Sequence, residues 1–272
     1  DQVSCACMFP VGLLLPADDA RRSTTGLVAL DEYAPTTRSD SMREGLLNVS
    51  TGVYLHYVEV CAEKPIMVMD ATENVVREPH TVIFYLPSSL TSIDNSMTDM
   101  MSLATVTDAC VVRYDYRGCG MSTGKVVSQQ QLIHDSSTMM RQCLAALRPQ
   151  RVVMYGVEVG ASVAVNVCAS LGIPMKLVLE TPVLGTLSLR WWIAGVSVAC
   201  SEKLDCRSAL RRTASIDMLV GVREFEPIID VDKVVDTLGV WRHGAVDVVR
   251  VRERTIQQSA TWTTRLRRFL LQ

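Results

Sequence analysis

The chain has 272 residues, of which 48% are apolar, and this is enough for one sizeable α/β domain. Lysine and arginine number 27 and aspartate and glutamate 29, so bulk charge would attract neither nucleic acid nor an anionic membrane. No apolar stretch is long enough to cross a membrane, and we therefore expect a soluble protein.

Nine cysteines, an odd number, are scattered mostly through apolar stretches. This pattern predicts buried thiols in a reducing compartment, which favours an intracellular protein of the cytoplasm or the mitochondrion. A structural zinc site would need paired cysteines with further ligands nearby. Only Cys5 and Cys7 approach that spacing, and no histidine lies near them, so we expect no metal and no cofactor.

The first part of the chain shows no sustained periodicity. Residues 1–45 are therefore predicted to form an N-terminal arm or extension, and we expect the apolar patch at Met8–Leu15 to dock on another surface. A regular domain is expected over residues 46–272. Its first elements are predicted to be a hairpin of Val53–Val60 and Ile66–Met69, joined by a polar turn.

Short β-branched segments follow, and stretches with helical spacing lie between them. This alternation predicts an α/β fold with a mostly parallel, doubly wound sheet and helices on both faces. The strands are expected at Thr81–Leu86, Ala109–Tyr114, Arg151–Tyr155, Lys176–Leu179, Asp217–Val222 and Ala245–Val251.

Three helices are defined best by the sequence. Ser128–Leu147 has one apolar face and should end before Pro149. A second helix is expected at Val159–Leu171 and a third at about Ile256–Leu271. The third should bury Ile256, Ala260, Leu266, Phe269 and Leu270, and it should present Arg265, Arg267 and Arg268 to solvent or to a partner.

Two motifs carry a resemblance to a known family. "VVRYDYRGCGMSTG" at Val111–Gly124 resembles the strand and loop that many α/β-hydrolases write as D-Y-R-G-x-G-x-S-x-G. Further along, Gly156-Val157-Glu158-Val159-Gly160 lies where that family has its G-x-S-x-G nucleophile elbow. The chain thus resembles the α/β-hydrolase superfamily, and Lys176–Leu187 is similar to its serine-hydrolase branch without a large lid. The resemblance implies an internal, parallel elbow strand and a short cap insertion at about residues 186–214.

The resemblance also implies an active site that has lost its machinery. Hydrolysis in this family needs a nucleophile at the elbow, a histidine after the last strand, an acid that orients the histidine, and two backbone donors for the oxyanion. Here the elbow has Glu158, residues 250–256 include no histidine, and Pro87 removes one backbone donor. Glu224 lies about where the family has its acid. We therefore expect no catalytic residues, with Glu158 and Glu224 as vestigial positions.

Glu158 has two interpretations. A carboxylate at a helix N-terminus is favoured by the macrodipole and could pair with Arg117 or another arginine. A carboxylate nucleophile is the alternative, but without a histidine its ester would have no base to release it. Arg113, Asp115 and Arg117 are predicted to form an ion-pair network in the loop, and Ser162 should pack into the helix.

Two functional hypotheses from different classes follow. The first is a catalytically inactive protein that serves as a structural or interaction subunit of a larger intracellular assembly. Its contacts would be the arm, the insertion with Trp191 and Trp192, and the last helix, where Arg265, Arg267 and Arg268 could also bind phosphate or nucleic acid. The second is an unconventional hydrolase or small-ligand binder that uses Glu158 and Glu224.

Overall fold

A large mixed sheet lies at the centre of the molecule. The computed structural model describes residues 36–39, 41–62, 66–69, 75–78, 80–87, 93–125, 128–184, 206–225, 230–241, 246–253 and 256–272. The strands in chain order are β1 (Thr36–Ser39), β2 (Met42–Ser50), β3 (Val53–Cys61), β4 (Ile66–Met69), β5 (Val75–Glu78), β6 (Thr81–Leu86), β7 (Cys110–Tyr114), β8 (Arg151–Val157), β9 (Lys176–Glu180), β10 (Met218–Arg223) and β11 (Val246–Val251).

Nine of these strands form one sheet in the order β1-β2-β3-β7-β6-β8-β9-β10-β11. The strands from β7 to β11 in this order are parallel, whereas β1, β2, β3 and β7 pair antiparallel. Strand β8 lies between β6 and β9 and is parallel to both. The prediction of an internal, parallel elbow strand is therefore confirmed.

Helices cover both faces of the sheet, as the alternating pattern predicts. They are α1 (Ile93–Thr107), α2 (Gln129–Leu147), α3 (Val159–Leu171), α4 (Arg207–Arg212), α5 (Val231–Trp241) and α6 (Ala260–Leu271), with a 3-10 turn at Ile256–Gln258 before α6. Residues of α1 and α6 share one apolar core. Residues of α2, α3, α4 and α5 share the core on the other face, so the inner parallel strands are buried on both sides, whereas the edge strand β11 exposes Asp247 and Arg250.

The ends of α2 follow from local chemistry. Ser128 caps the helix, because its Oγ accepts a hydrogen bond from the backbone N–H of Gln131 at 3.2 Å. The helix ends at Leu147, and Arg148 then adopts a left-handed conformation with φ 44°. The predicted end before Pro149 is confirmed.

The N-terminal part of the sheet differs from the sequence-based expectation. Ile66–Met69 does not pair with Val53–Cys61; it forms a separate two-stranded sheet with Val75–Glu78. Val53–Cys61 pairs instead with Met42–Ser50, so the predicted hairpin is wrong. The sheet also begins at Thr36, N-terminal to the boundary that we predicted at residue 45. Residues 1–35, most of the predicted arm, and residues 185–205 of the predicted insertion lie outside the described residues.

The cysteines are not all free thiols. Cys61 and Cys110, opposite each other at the ends of β3 and β7, form a disulfide. The prediction of free thiols is wrong for this pair, because strand pairing brings together two residues that are 49 positions apart in the sequence. The free cysteines among the described residues are all buried: Cys119, Cys143, Cys168 and Cys206.

The C-terminal helix is shorter than predicted. The 3-10 turn at Ile256–Gln258 ends before Ser259, whose Oγ caps α6. Ala260 is exposed rather than buried, because this cap places it at the helix start. Ile256, Leu266, Phe269 and Leu270 are buried as predicted. None of the described helices combines the length and apolar content that a membrane span requires.

Candidate functional site

The turn from β8 into α3 has an unusual backbone at Glu158, whose φ is 49° and ψ is −109°. A positive φ is a strained conformation for a residue with a side chain. Neighbouring elements support it: the Glu158 N–H donates to the Glu180 carbonyl at 2.9 Å, and its carbonyl accepts from Val183 at 3.0 Å. Glu158 therefore lies at the strand-to-helix turn, as predicted.

Two glycines make this turn possible. A Cβ on Gly156 would lie 2.5 Å from the Cα of Ala161, and one on Gly160 would lie 2.3 Å from the Leu86 carbonyl oxygen and 2.5 Å from that of Pro87. These are backbone atoms, which cannot rotate away from an added methyl group. The chain therefore retains the close packing of a nucleophile elbow, although a glutamate replaces its serine.

The contacts expected around Glu158 are partly different from those observed. The Glu158 carboxylate makes no side-chain cap bond to α3. Arg117, one of its suggested partners, binds Asp135 of α2 instead, so the pairing with Arg117 was predicted wrongly. Ser162 is buried and donates a hydrogen bond to the Val183 carbonyl, which confirms its structural role.

A buried acid beside the elbow was missed by the sequence analysis. Glu180, the last residue of β9, accepts hydrogen bonds from the Tyr155 hydroxyl at 2.8 Å and from Nε2 of Gln257 at 3.1 Å. The pKa of Glu180 is raised to about 7, mainly by burial; the two hydrogen bonds oppose this rise, and the negative charges of Glu158 and Asp99 contribute to it. The available signal was the acid that ends the apolar strand "KLVLE".

Gln257 lies in the segment between β11 and α6, where the family resemblance implies a histidine. The amide of Gln257 donates a hydrogen bond to Glu180, but it cannot accept a proton as an imidazole does. A cavity of about 250 Å³ opens between α1 and α6 beside it. The residues that line it include Asp99, Ser102, Leu103, Tyr155, Gln257 and Trp262.

Glu224 follows β10 directly, at the position that the resemblance implies for the acid. It is exposed, and it accepts a hydrogen bond from Nε of Arg252 at 2.7 Å. Exposed pairs of this kind contribute little to stability. The carboxylates whose charges act on Glu180 are those of Glu158 and Asp99, and Glu224 is not among them, so Glu180 is the better candidate for a second acid in this site.

The loop after β7 is organised around Asp115. Its Oδ1 accepts a hydrogen bond from the N–H of Ile93 at 3.0 Å, and its carboxylate lies 3.9 Å from Arg113 and 3.6 Å from Nδ1 of His56. A Cβ on Gly120 would lie 2.1 Å from Oδ2 of Asp115, so a glycine is required there. The predicted ion-pair network is therefore present between Arg113 and Asp115, whereas its third member, Arg117, pairs with Asp135 of α2.

His56 connects this loop to the antiparallel edge of the sheet. Its Nε2 lies 3.0 Å from Oε1 of Glu44. Burial lowers the pKa of His56, but the carboxylates of Asp115 and Glu44 outweigh burial and raise it above its ordinary value. His56 thus connects Glu44 of β2 with Asp115 of the loop after β7. We therefore assign this cluster to folding rather than to catalysis.

We expect the free energy of unfolding to fall between pH 4.5 and pH 7 because of Glu180. Its pKa rises from 4.5 to about 7 on folding, so the folded chain binds the proton more tightly and this stability is lost as pH rises. The loss should total about 3 kcal/mol over this range. Urea unfolding at several pH values should show the slope in the parent and in a Glu224→Gln control. The assignment to Glu180 is wrong if Glu180→Gln retains the slope.

Comparisons with known proteins identify the fold. No protein-family model and no curated protein matches the chain. Among solved structures, it is similar to an α/β serine hydrolase homologue from Coxiella burnetii, with a TM-score of 0.58 and 15% identity over 88% of this chain and 98% of that one. It is also similar to an α/β-hydrolase from Vibrio vulnificus, with a TM-score of 0.63 and 13% identity over 85% of this chain and 80% of that one.

A third similar structure is an esterase from Pyrococcus furiosus, with a TM-score of 0.61 and 14% identity over 85% of this chain and 90% of that one. At these identities the likeness shows the fold and not the activity.

Proposed function

From the premise that this chain has the α/β-hydrolase fold, we propose that it is a catalytically inactive protein of that fold. It serves as a structural or interaction subunit of a larger intracellular assembly. One observation carries the proposal: the strained elbow and both of its glycines remain, but Glu158 replaces the nucleophilic serine.

The chemistry around Glu158 supports inactivity. A carboxylate nucleophile forms an ester that a histidine-activated water must break. The printed sequence has no histidine after His243, which precedes β11. In the segment where the family resemblance implies the base, Gln257 donates an amide hydrogen to Glu180 instead. A reaction at Glu158 would therefore stop at the ester.

Exposed apolar side chains support a role in association. Phe225, which follows β10, is 79% exposed, and Leu271 at the end of α6 is 75% exposed. Covering apolar surface gains about 25 cal/mol per Å², so a partner on these residues would be stabilised. Because Phe225 lies beyond the carboxyl end of a parallel strand, it is at the same edge of the sheet as Glu158.

The arginines of α6 add a charged surface. Arg265, Arg267 and Arg268 are all exposed. Arg265 lies 3.6 Å from Asp247, and Nε of Arg267 donates to the Val106 carbonyl at 2.6 Å, so two of them also bind their own domain. Arginine suits bidentate contacts with carboxylates and phosphates, and we propose an acidic protein surface as the partner, with phosphate or nucleic acid as the alternative.

We expect association to depend on surfaces and not on the elbow. The tagged full chain should sediment from extracts of its source cells as part of a large assembly. Changing Arg265, Arg267 and Arg268 to glutamate, or deleting residues 1–35, should shift it towards the monomer. The deletion ends before β1 because that strand belongs to the sheet. Glu158→Gln is the matched control and should sediment like the parent.

The subunit role is wrong if the parent itself sediments as a monomer. A second function, binding of a small ligand, is favoured by the cavity lined by Tyr155 and Gln257, the two residues that donate hydrogen bonds to Glu180. The sequence-based form of this alternative used Glu158 and Glu224. In the structure we replace Glu224 by Glu180 as the acid of that site. Filling the cavity with Ser102→Trp distinguishes the two functions. If Ser102→Trp loses ligand binding while the arginine variant still associates like the parent, the ligand-binding role is favoured.

A further inference from the structure

Three potential metal ligands meet at the edge of the sheet opposite to the elbow. Cys61 ends β3 and Cys110 begins β7, and these two residues face each other in the strand register. Glu59 lies two residues before Cys61, so the two side chains are on the same face of β3. Glu158 follows the carboxyl end of β8, whereas Cys110 is at the amino end of a strand with the same direction. The two sites are therefore separate.

The ligand atoms of these residues are compact and buried. The carboxylate oxygen of Glu59 and the Sγ atoms of Cys61 and Cys110 all lie within 4.8 Å of one another. Glu59 is fully buried and both cysteines are buried. Buried charged groups are usually paired or bound to a metal ion, and a carboxylate with two sulfurs provides three donor atoms for such an ion.

The contact between Glu59 and Cys61 has a different character in each redox state. Sγ of Cys61 lies 3.4 Å from Oε1 of Glu59. In the disulfide form the sulfur has no hydrogen to donate, so this contact is not a hydrogen bond. In the reduced form the thiol can donate to the carboxylate, and deprotonation of both thiols beside Glu59 would place three anions together. A divalent cation would offset two of these three negative charges.

We propose that reduced Cys61 and Cys110, together with Glu59, form a binding site for a thiophilic divalent cation such as Zn²⁺. Thiolates select such ions, and Zn²⁺ accepts cysteine sulfur and glutamate oxygen as ligands. Three protein ligands leave one coordination position for water or another donor. The disulfide removes both thiolates, so metal binding depends on redox state.

The redox step is thiol–disulfide exchange with a small dithiol. A thiolate of the dithiol attacks one sulfur of the Cys61–Cys110 bond, and its second thiol then completes a cyclic disulfide. The protein gains two thiols, and the dithiol loses two electrons and two protons. Binding of Zn²⁺ then displaces the two thiol protons, so affinity should rise with pH.

Cys143 is a buried free thiol outside the proposed ligand set. Burial raises the pKa of the Cys143 thiol, and the negative charge of Glu59 raises it further. Cys143 is not among the residues whose ligand atoms lie within 4.8 Å of one another, so we do not count it as a ligand. Cys168 in α3 is also a buried free thiol, and its Sγ lies 3.1 Å from the sulfur of Met175. It provides a matched control for cysteine replacement.

The test uses the full chain, reduced with dithiothreitol and then freed of it, or left oxidised. Zn²⁺ is titrated in competition with a chromophoric chelator, and Cd²⁺ is added to observe thiolate-to-metal absorption in the ultraviolet. The reduced parent should bind one Zn²⁺ per chain and the oxidised parent none. Because the two samples have the same sequence, this comparison is independent of whether any variant folds.

Variants identify the ligands. Cys61→Ala, Cys110→Ala and Glu59→Gln should each weaken Zn²⁺ binding by about 100-fold or more, since even partners outside the ligand set cost 10–100-fold. Cys168→Ala should bind like the parent, and circular dichroism should show that each variant is folded. Equal binding by reduced and oxidised parent, no binding by the reduced parent, or unchanged binding in folded Cys110→Ala would overturn the proposal.

Discussion

Replacing Gly160 with alanine is expected to lower the free energy of unfolding by about 3 kcal/mol or more. Alanine in a helix would normally gain about 1 kcal/mol over glycine. At this position the added Cβ would lie 2.3 Å from the Leu86 carbonyl oxygen and 2.5 Å from that of Pro87. Because both atoms belong to backbone, β6 and α3 would have to separate, and the steric cost exceeds the helical gain.

Gly239→Ala is the matched control for this prediction. Gly239 lies in α5, it is exposed, and apart from its chain neighbours and the backbone of its own helix no atom lies within 4 Å of the place that an added Cβ would occupy. That substitution should stabilise the chain by about 0.5–1 kcal/mol. Urea unfolding of the two variants gives both values. If Gly160→Ala is as stable as the parent, the elbow does not have the tight packing that we describe.

The second large effect is expected from the ion pair between the loop after β7 and α2. Nε and Nη2 of Arg117 donate to the two carboxylate oxygens of Asp135 at 2.5 and 2.6 Å. Both side chains are buried. Asp135→Asn would leave the guanidinium buried without a counter-charge, and the free energy of unfolding should fall by about 3–5 kcal/mol.

An exposed pair in the same chain provides the comparison. Arg250 and Asp232 lie 2.9 Å apart on the surface, so Asp232→Asn should change stability by less than about 1 kcal/mol. The double variant Arg117→Met with Asp135→Leu should recover much of the loss, because it removes both buried charges. Equal effects of Asp135→Asn and Asp232→Asn would contradict the account of the buried pair.

The features that the sequence predicts well are those with a local cause. The strands from β6 to β11 are short apolar runs, and helix Val159–Leu171 follows its turn directly. Ser128 and the apolar face behind it define the start of α2. In each case the residues that determine the element are neighbours in the chain, so periodicity and capping are sufficient.

The features that it misses depend on pairing between distant residues. Adjacent segments favour a hairpin, but Val53–Cys61 pairs with Met42–Ser50, whose alternating burial was not recognised. Glu180 and Gln257 are 77 positions apart, and only the sheet order brings them into contact. Cys61 and Cys110 likewise meet only through the pairing of β3 with β7. No short motif describes any of these contacts.

The most direct test of the central claim is hydrolysis of short-chain p-nitrophenyl esters by the purified chain. The account predicts a rate equal to that of buffer for the parent, for Glu158→Gln and for Glu158→Ser, because a serine alone has no histidine to accept its proton. Turnover by the parent that disappears in Glu158→Gln would contradict the claim and show that Glu158 is a catalytic residue.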